Sequence, residues 1–341
     1  MILLENGSLS FEGVRLLEAV PGTVSFTAVQ GEDGVFLRFD VEEQAPWHEL
    51  PVGNVVGLRR WAALHRYEPY WNTACCGQRA GTVPVETQFL LMELDSGLYG
   101  VIIPLIDGDF RASVQGAGEQ GLVLVAESND PAIVTDRVTG LYVAVKQAPF
   151  ELLQEAALRV SRWLKTGRLR DEKDLPDFMD DFGWCTWNAF YQQVSHDLVR
   201  QGLESFKAGG VQPRFLILDD GWQQVDKMPT GEIRLTGLGS NAKFPGGLSA
   251  TVRMAKEEFG IDHFSVWHAV LGYWGGVDGK ALQGDGVRPL ARSFGAGILH
   301  HVPDHNENWW GHVVGTVPPE HLAGFYQDYH RSLRLEGVDG V

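Results

Sequence analysis

The chain has 341 residues, of which 44% are hydrophobic; that is enough for two ordinary domains with packed cores and excludes wholesale disorder. Lys and Arg number 28 against 44 Asp and Glu, a net charge of −16 with no long basic run, so nucleic acid is excluded as a main partner and neutral substrates fit better than phosphorylated ones. Three cysteines, the adjacent Cys75 and Cys76 and the distant Cys185, have neither the number nor the spacing of a disulfide framework or a zinc site.

Met1 to Ser8 holds no basic stretch followed by an apolar core, and no apolar run reaches membrane-spanning length. The expectation is a soluble, cytoplasmic protein with reduced thiols and no membrane partner. From there to about Ala148 the chain reads as β. Apolar runs at Val35–Phe39, Thr87–Leu94, Leu98–Ile106, Leu122–Ala126 and Leu141–Val145 are parted by Gly, Asp or Asn clusters, and several alternate with period two. Such spacing predicts an antiparallel β-sandwich over 1–148. A helix follows at Pro149–Thr166, with Leu153, Ala156, Val160 and Leu164 on one face, and a charged stretch ends at Pro176. Residues 149–177 are therefore expected to be a helix and linker.

From 178 to 341 the pattern alternates between strand and helix. Phe182–Trp187 reads as a strand. Ser195 can cap a helix carrying Val199, Leu203 and Phe206, which Gly209-Gly210 ends. Phe215–Leu218 is a continuous apolar run, as in a parallel strand covered on both faces. Leu248, Val252, Ala255 and Phe259 mark the next helix, closed by Gly260, and Ile261–Val270 the next strand. A last helix opens at Pro318-Pro319, carries Leu322, Phe325, Tyr329 and Leu333, and ends at Gly337; Val338–Val341 then begins a fourth strand. Repeated βα units predict a parallel sheet, open or closed as a (β/α)8 barrel, and the residues remaining suffice for about half of a barrel of about 250. No Gly-rich phosphate loop follows the first strand, so dinucleotide binding is not supported.

The chemistry gathers where these strands end, which is where parallel α/β folds bind ligands. Asp219-Asp220-Gly221-Trp222-Gln223 directly follows Leu218. A carboxylate can accept two sugar hydroxyls in a fork while an indole covers an apolar sugar face. The same residues also suit an Asx turn at Gly221. The first strand ends in Trp184-Cys185-Thr186-Trp187-Asn188, where Asn188 fits a pocket group or a turn former. The third ends in Trp267-His268-Ala269, then Gly272-Tyr273-Trp274. His268 alone suits a structural role; its weight comes from three strand ends with the same chemistry. Eleven tryptophans, several beside Gly, Asn, Asp or His, suit a carbohydrate pocket, although any one of them fits the core as well. His300, His301, His305 and His312, with Asp304 and Glu307, match no familiar metal spacing and read as a solvated loop.

The strings Phe182–Tyr191 (FGWCTWNAFY), Phe215–Gln223 (FLILDDGWQ) and Val266–Gly276 (VWHAVLGYWGG) resemble segments of the raffinose synthase, seed imbibition protein and alkaline α-galactosidase family, within glycoside hydrolase family 36 and its relatives. Val83–Leu90 (VPVETQFL) and Ile103–Gly116 (IPLIDGDFRASVQG) resemble it too. The resemblance implies a β-sandwich, then a (β/α)8 barrel and a smaller C-terminal β-domain. It implies hydrolysis of α-galactosides of the raffinose or melibiose type, or transfer of galactose from a donor such as galactinol to sucrose, with retention through a covalent galactosyl-enzyme. Asp219 and Asp220 match the pair that binds galactose hydroxyls, and Trp267 matches an aromatic lining the sugar. Trp184, Trp222, His268 and Asn188 complete the candidate substrate-binding set.

Asn188 stands where plant members usually carry Asp, which bears on the acceptor. Leu335–Val341 (LEGVDGV) resembles the lead-in to the family's Lys-Val-Asp segment, whose Asp is the nucleophile. Both the nucleophile and the acid/base are then expected beyond Val341, and the chain is expected to be an inactive piece holding an incomplete barrel truncated in its fourth strand. No cofactor or metal is implied, and no motif speaks to oligomeric state. A non-catalytic sugar-binding protein of the same fold is the alternative; an unrelated barrel enzyme such as an isomerase would need a phosphate site or metal ligands.

Overall fold

The computed structural model describes the chain except for residues 29–33, 69–70, 129, 283–285 and 292–312. The described residues form two compact units, one spanning Met1–Lys173 and the other beginning at Asp174.

The first unit is antiparallel throughout. Its strands are β1 (Ile2–Glu5), β2 (Ser8–Phe11), β3 (Val14–Glu18), β4 (Val24–Ala28), β5 (Gly34–Ala45), β6 (Trp47–Val55) and β7 (Leu58–Glu68). They continue as β8 (Trp71–Gly77), β9 (Thr87–Leu94), β10 (Tyr99–Pro104), β11 (Ile106–Asp107), β12 (Phe110–Ala117), β13 (Gly121–Glu127) and β14 (Thr135–Lys146). One arm runs β4-β5-β14-β10-β9-β7-β8 and the other β1-β2-β3-β6-β13-β12; the pair Val114↔Thr87 joins them into one sheet. Both arms feed a single core, with Leu37, Leu90, Met92 and Val143 from one and Leu9, Leu17, Val52 and Leu124 from the other.

Period-two alternation sorts the two faces. In the β10–β14 pair Ile102 and Val143 point into that core, whereas their neighbours Val101 and Ala144 join a second cluster under helix α1 (Pro149–Leu164). Helix α1 begins on Pro149, whose missing N–H costs nothing there, and stops at a left-handed Lys165. It buries Leu152 and Ala156, with Leu153 and Val160 beside them, and Trp163 stacks on Phe36 at 4.1 Å. Helix α1 thus packs within the first unit. Two of the recognised strings meet here as well: Glu86 of VPVETQFL is 1% exposed and accepts from Arg111 of IPLIDGDFRASVQG at 2.7 Å and from Arg66 at 2.9 Å.

The second unit carries a parallel sheet of β15 (Gly183–Cys185), β16 (Phe215–Leu218) and β19 (His263–Val266), in that order. A short turn of helix, α2 (Trp187–Phe190), and helix α3 (His196–Ala208) connect the first two strands. A hairpin of β17 (Gln223–Lys227) and β18 (Ile233–Ser240), then α4 (Gly247–Phe259), connect the next two. After β19 come the pair β20 (Arg288–Ala291) and β21 (Val313–Thr316) and helix α5 (Pro319–Leu335). Neither antiparallel pair was expected, and β15 and β19 are shorter than the runs predicted because Trp187 already opens α2 and Trp267 and His268 leave the sheet.

Helix ends follow the sequence signals. Ser195 Oγ accepts the Leu198 N–H at 3.2 Å, and Gly260 in the left-handed region lets Ile261 N–H reach Ala255 O at 3.1 Å. The residues after α5 begin to pair beside β19: Ser265 bridges Gly340 in parallel, and Val266 N–H donates to Gly340 O at 3.0 Å. Leu216, Leu218, Phe264 and Val266 are buried with Val199, Leu203, Val252 and Ala255 of α3 and α4. The opposite face of β16, with Phe215 and Ile217, is only half-buried, so burial on both faces, read from the apolar run, is corrected to one face. No helix among the described residues is long and apolar enough to cross a membrane.

Candidate functional site

Register places the candidate residues at one end of the parallel sheet. Cys185 pairs with Ile217 and Leu218 with Val266, so Asp219 and Trp267 are the next residues out on adjoining strands. Backbone bonds stitch these ends together: Thr186 N–H donates to Ile217 O at 3.1 Å and Trp267 N–H to Leu218 O at 2.9 Å. The sealed Thr186 hydroxyl accepts the Asp219 N–H at 3.0 Å, which fixes where the two aspartates leave the strand.

The two aspartates then differ. Asp220 is 3% exposed, and both oxygens accept from protein donors: Tyr273 OH at 2.8 Å, Gln192 Nε2 at 2.9 Å and Trp274 Nε1 at 3.2 Å. It therefore ties the loop after β15 to the loop after β19. Burial, then the Asp220 charge, pushes the Tyr273 hydroxyl far above its ordinary value, so it stays a donor. Burial lowers Lys243, and Asp220 partly offsets this; its ammonium donates to Gln192 O. Asp219 is half-buried. One oxygen accepts the Asp220 N–H at 2.7 Å and the other faces the Cys185 thiol at 3.0 Å. A carboxylate offers about four lone-pair positions, so Asp219 retains capacity for hydroxyls while Asp220 is largely used.

Gly221 makes the turn feasible. Its φ is +116°, and a Cβ there would stand 2.6 Å from Gln192 O. Asn241 secures the far side of the turn, its Nδ2 donating to Gly221 O at 2.8 Å and to Gln223 O at 3.0 Å.

The aromatic candidates separate as well. Trp267 is half-buried and lies against Trp274 at 5.4 Å, which joins it through Trp274 to Asp220. Trp222 is fully sealed, its indole N–H donating to Trp267 O at 2.9 Å, so it packs the core and presents no face to a ligand. Trp184 shares the helix-facing side with Leu216; its ring meets Phe206 of α3 at 5.4 Å and fills the notch at Gly202. Both Trp184 and Trp222 are thus packing residues, a correction set for Trp184 by alternation along β15 and for Trp222 by the path of the turn after β16. Trp187, one turn on, is exposed and meets Tyr191 edge-on at 5.2 Å. Asn188 is exposed on α2. His268, the next residue after Trp267, instead meets Tyr329 and His330 of α5. His300, His301, His305 and His312, with Asp304 and Glu307, lie outside the described residues.

Gln192 and Lys243 build this site without having been named from sequence, and Cys185, Tyr273 and Trp274 were read there as members of the strand-end clusters without a role of their own. Tyr273 and Trp274 stood inside a recognised string; Gln192 and Lys243 carried no local signal. A cleft of about 240 Å³ lined by Leu203, Lys207, Pro213 and Phe259 lies elsewhere, at the loops leading into β16 and β19, the opposite end from these carboxylates.

Residues 17–341 match the family model described as raffinose synthase or seed imbibition protein Sip1. The chain is 33% identical to the probable galactinol–sucrose galactosyltransferase 6 of Arabidopsis thaliana, over 100% of its own length and 50% of that protein. It is 32% identical to the probable galactinol–sucrose galactosyltransferase 1 of the same plant, again over 100% and 50%. The chain thus spans about half the length of the curated relatives it matches. Its fold is similar to that of an α-galactosidase from Thermus thermophilus solved with p-nitrophenyl α-D-galactopyranoside, with a TM-score of 0.50, 15% identity, and coverage of 94% of this chain and 63% of that one.

Proposed function

Because the chain belongs to the raffinose synthase and seed imbibition protein family, we propose that it is part of an α-galactoside-processing enzyme, a retaining α-galactosidase or a galactosyltransferase, and contributes the galactose-gripping side of the active site. One observation carries this reading: Asp219, half-buried with acceptor capacity to spare, stands at a parallel strand end beside Trp267, on a turn that Asp220 anchors from beneath. A sugar ring presents hydroxyls for such a carboxylate and a C–H face for an indole. In this reading β15, β16, β19 and the segment paired at Gly340 are the first strands of a (β/α)8 barrel, whose ligands sit at strand C-termini.

Retention requires two carboxylates about 5 Å apart on either side of the scissile bond. Asp220 cannot serve as one of them, since it is sealed and held by Tyr273, Gln192 and Trp274. The proposal therefore assigns nucleophile and acid/base to the part of the family's length that this chain does not span, and substrates of the raffinose, melibiose or galactinol type to the whole.

The test titrates the 341-residue chain with methyl α-galactoside, read by tryptophan fluorescence, and assays p-nitrophenyl α-galactoside turnover. Saturable binding weakened tenfold or more by Asp219→Ala, without turnover, is expected. Binding indifferent to Asp219→Ala overturns the site, and turnover abolished by Asp220→Ala overturns the assignment of the catalytic carboxylates.

A further inference from the structure

Building on the sugar-binding reading of Asp219, we propose that Cys185 is the positioning residue of that site: its thiol holds the Asp219 carboxylate in the plane that leaves the spare lone pairs open to sugar hydroxyls. Cys185 is the last residue of β15. Trp184 before it faces the helices with Leu216, so alternation sends Cys185 to the opposite side of the sheet, level with Ile217. From there the thiol reaches Asp219 Oδ2 at 3.0 Å, just beyond the end of the neighbouring strand.

The contact matters because of how an aspartate moves. Rotation about its terminal torsion is broad and roughly two-fold, so a carboxylate held at one oxygen can still pivot. Asp219 is held at both: the Asp220 N–H donates to Oδ1 at 2.7 Å and the thiol to Oδ2. Its main chain is fixed too, by the Asp219 N–H bond to the Thr186 hydroxyl at 3.0 Å. The end of β15 therefore clamps Asp219 twice, at the backbone through Thr186 and at the side chain through Cys185. Each oxygen keeps about one lone-pair position, and hydroxyls that arrive at a fixed spacing need both in a fixed plane.

The thiol is itself aimed. The Trp187 N–H, at the start of α2, donates to the Cys185 sulfur. A carboxylate facing a thiol accepts, so the sulfur takes one bond from the backbone and gives one to Asp219. Packing does not account for the residue. Cys185 is exposed, and none of the hydrophobic clusters among the described residues includes it.

The experiment compares Cys185→Val, which fills the space, suits a strand end and offers no donor, with Cys185→Ser, which keeps one. Tryptophan fluorescence reads the affinity for methyl α-galactoside. Cys185→Val is expected to weaken it about three- to tenfold, the size of one modest hydrogen bond, and Cys185→Ser to stay within about twofold of wild type. Both should melt within about 2 °C of wild type, as exposed substitutions do. In an Asp219→Ala background Cys185→Val should change the affinity no further. In Cys75→Ala/Cys76→Ser protein the infrared S–H stretching band of Cys185 should move to higher frequency once Asp219→Ala removes its acceptor. Wild-type affinity in Cys185→Val, or a Cys185→Ser protein as weak as Cys185→Val, overturns the proposal. So does equal weakening with Asp219 absent, which marks a direct clash of residue 185 with the sugar. No binding by the wild-type chain overturns the sugar reading instead; the S–H band then decides the clamp by itself, and a band that Asp219→Ala leaves unmoved overturns it.

Discussion

Replacing each aspartate in turn separates anchor from ligand. Asp220→Ala strips three donors at once. The Tyr273 hydroxyl is buried, and a bond to a charged acceptor there is worth about 2–3 kcal/mol. Trp274 is half-buried and adds about 1 kcal/mol, whereas Gln192 is exposed and water replaces its partner. The sum is about 3–4 kcal/mol. Asp219→Ala removes a weak thiol donor and one neighbouring N–H at a half-buried site, costing about 1 kcal/mol. For a unit of this size the melting temperature falls by about 2–4 °C per kcal/mol, giving roughly 6–16 °C for Asp220→Ala and 2–4 °C for Asp219→Ala. Urea unfolding followed by tryptophan fluorescence, extrapolated linearly to water, measures both. Equal losses within 1 kcal/mol, or a larger loss for Asp219→Ala, would refute the division of roles.

Burial is the largest influence on Cys185 and, with the Asp219 carboxylate also acting, pushes its thiol up to about 11. In a Cys75→Ala/Cys76→Ser background its alkylation rate should therefore climb about tenfold per pH unit from pH 8 to beyond pH 10; a plateau near pH 9 contradicts this. In the first unit, Glu86→Ala leaves Arg66 and Arg111 without their shared buried carboxylate and should cost about 3–5 kcal/mol; a thermal midpoint within 2 °C of wild type would count against that network.

The turn after β16 shows why adjacent identical residues take different fates. Successive side chains leaving a strand point to opposite sides, so one aspartate must turn inward. Inside, it needs donors, and Tyr273, Trp274 and Gln192 supply them from other segments. Gly221 accommodates the resulting closeness because no side chain fits against Gln192 O.

What local pattern dictates was legible in the sequence. Ser195, Gly260 and Pro319 mark helix boundaries because capping is a short-range affair. The run Phe215–Leu218 announced a strand, and the acids directly after it announced where that strand ends and the candidate site begins. Tertiary structure alone decided which face each residue meets. It sealed Trp222, turned Trp184 onto α3, and brought Gln192 and Lys243 to the Asp220 turn. It also set His268 against His330. Periodicity along a chain records which side of one element is apolar; convergence of distant side chains depends on register, crossover and loop path, which no local spacing encodes.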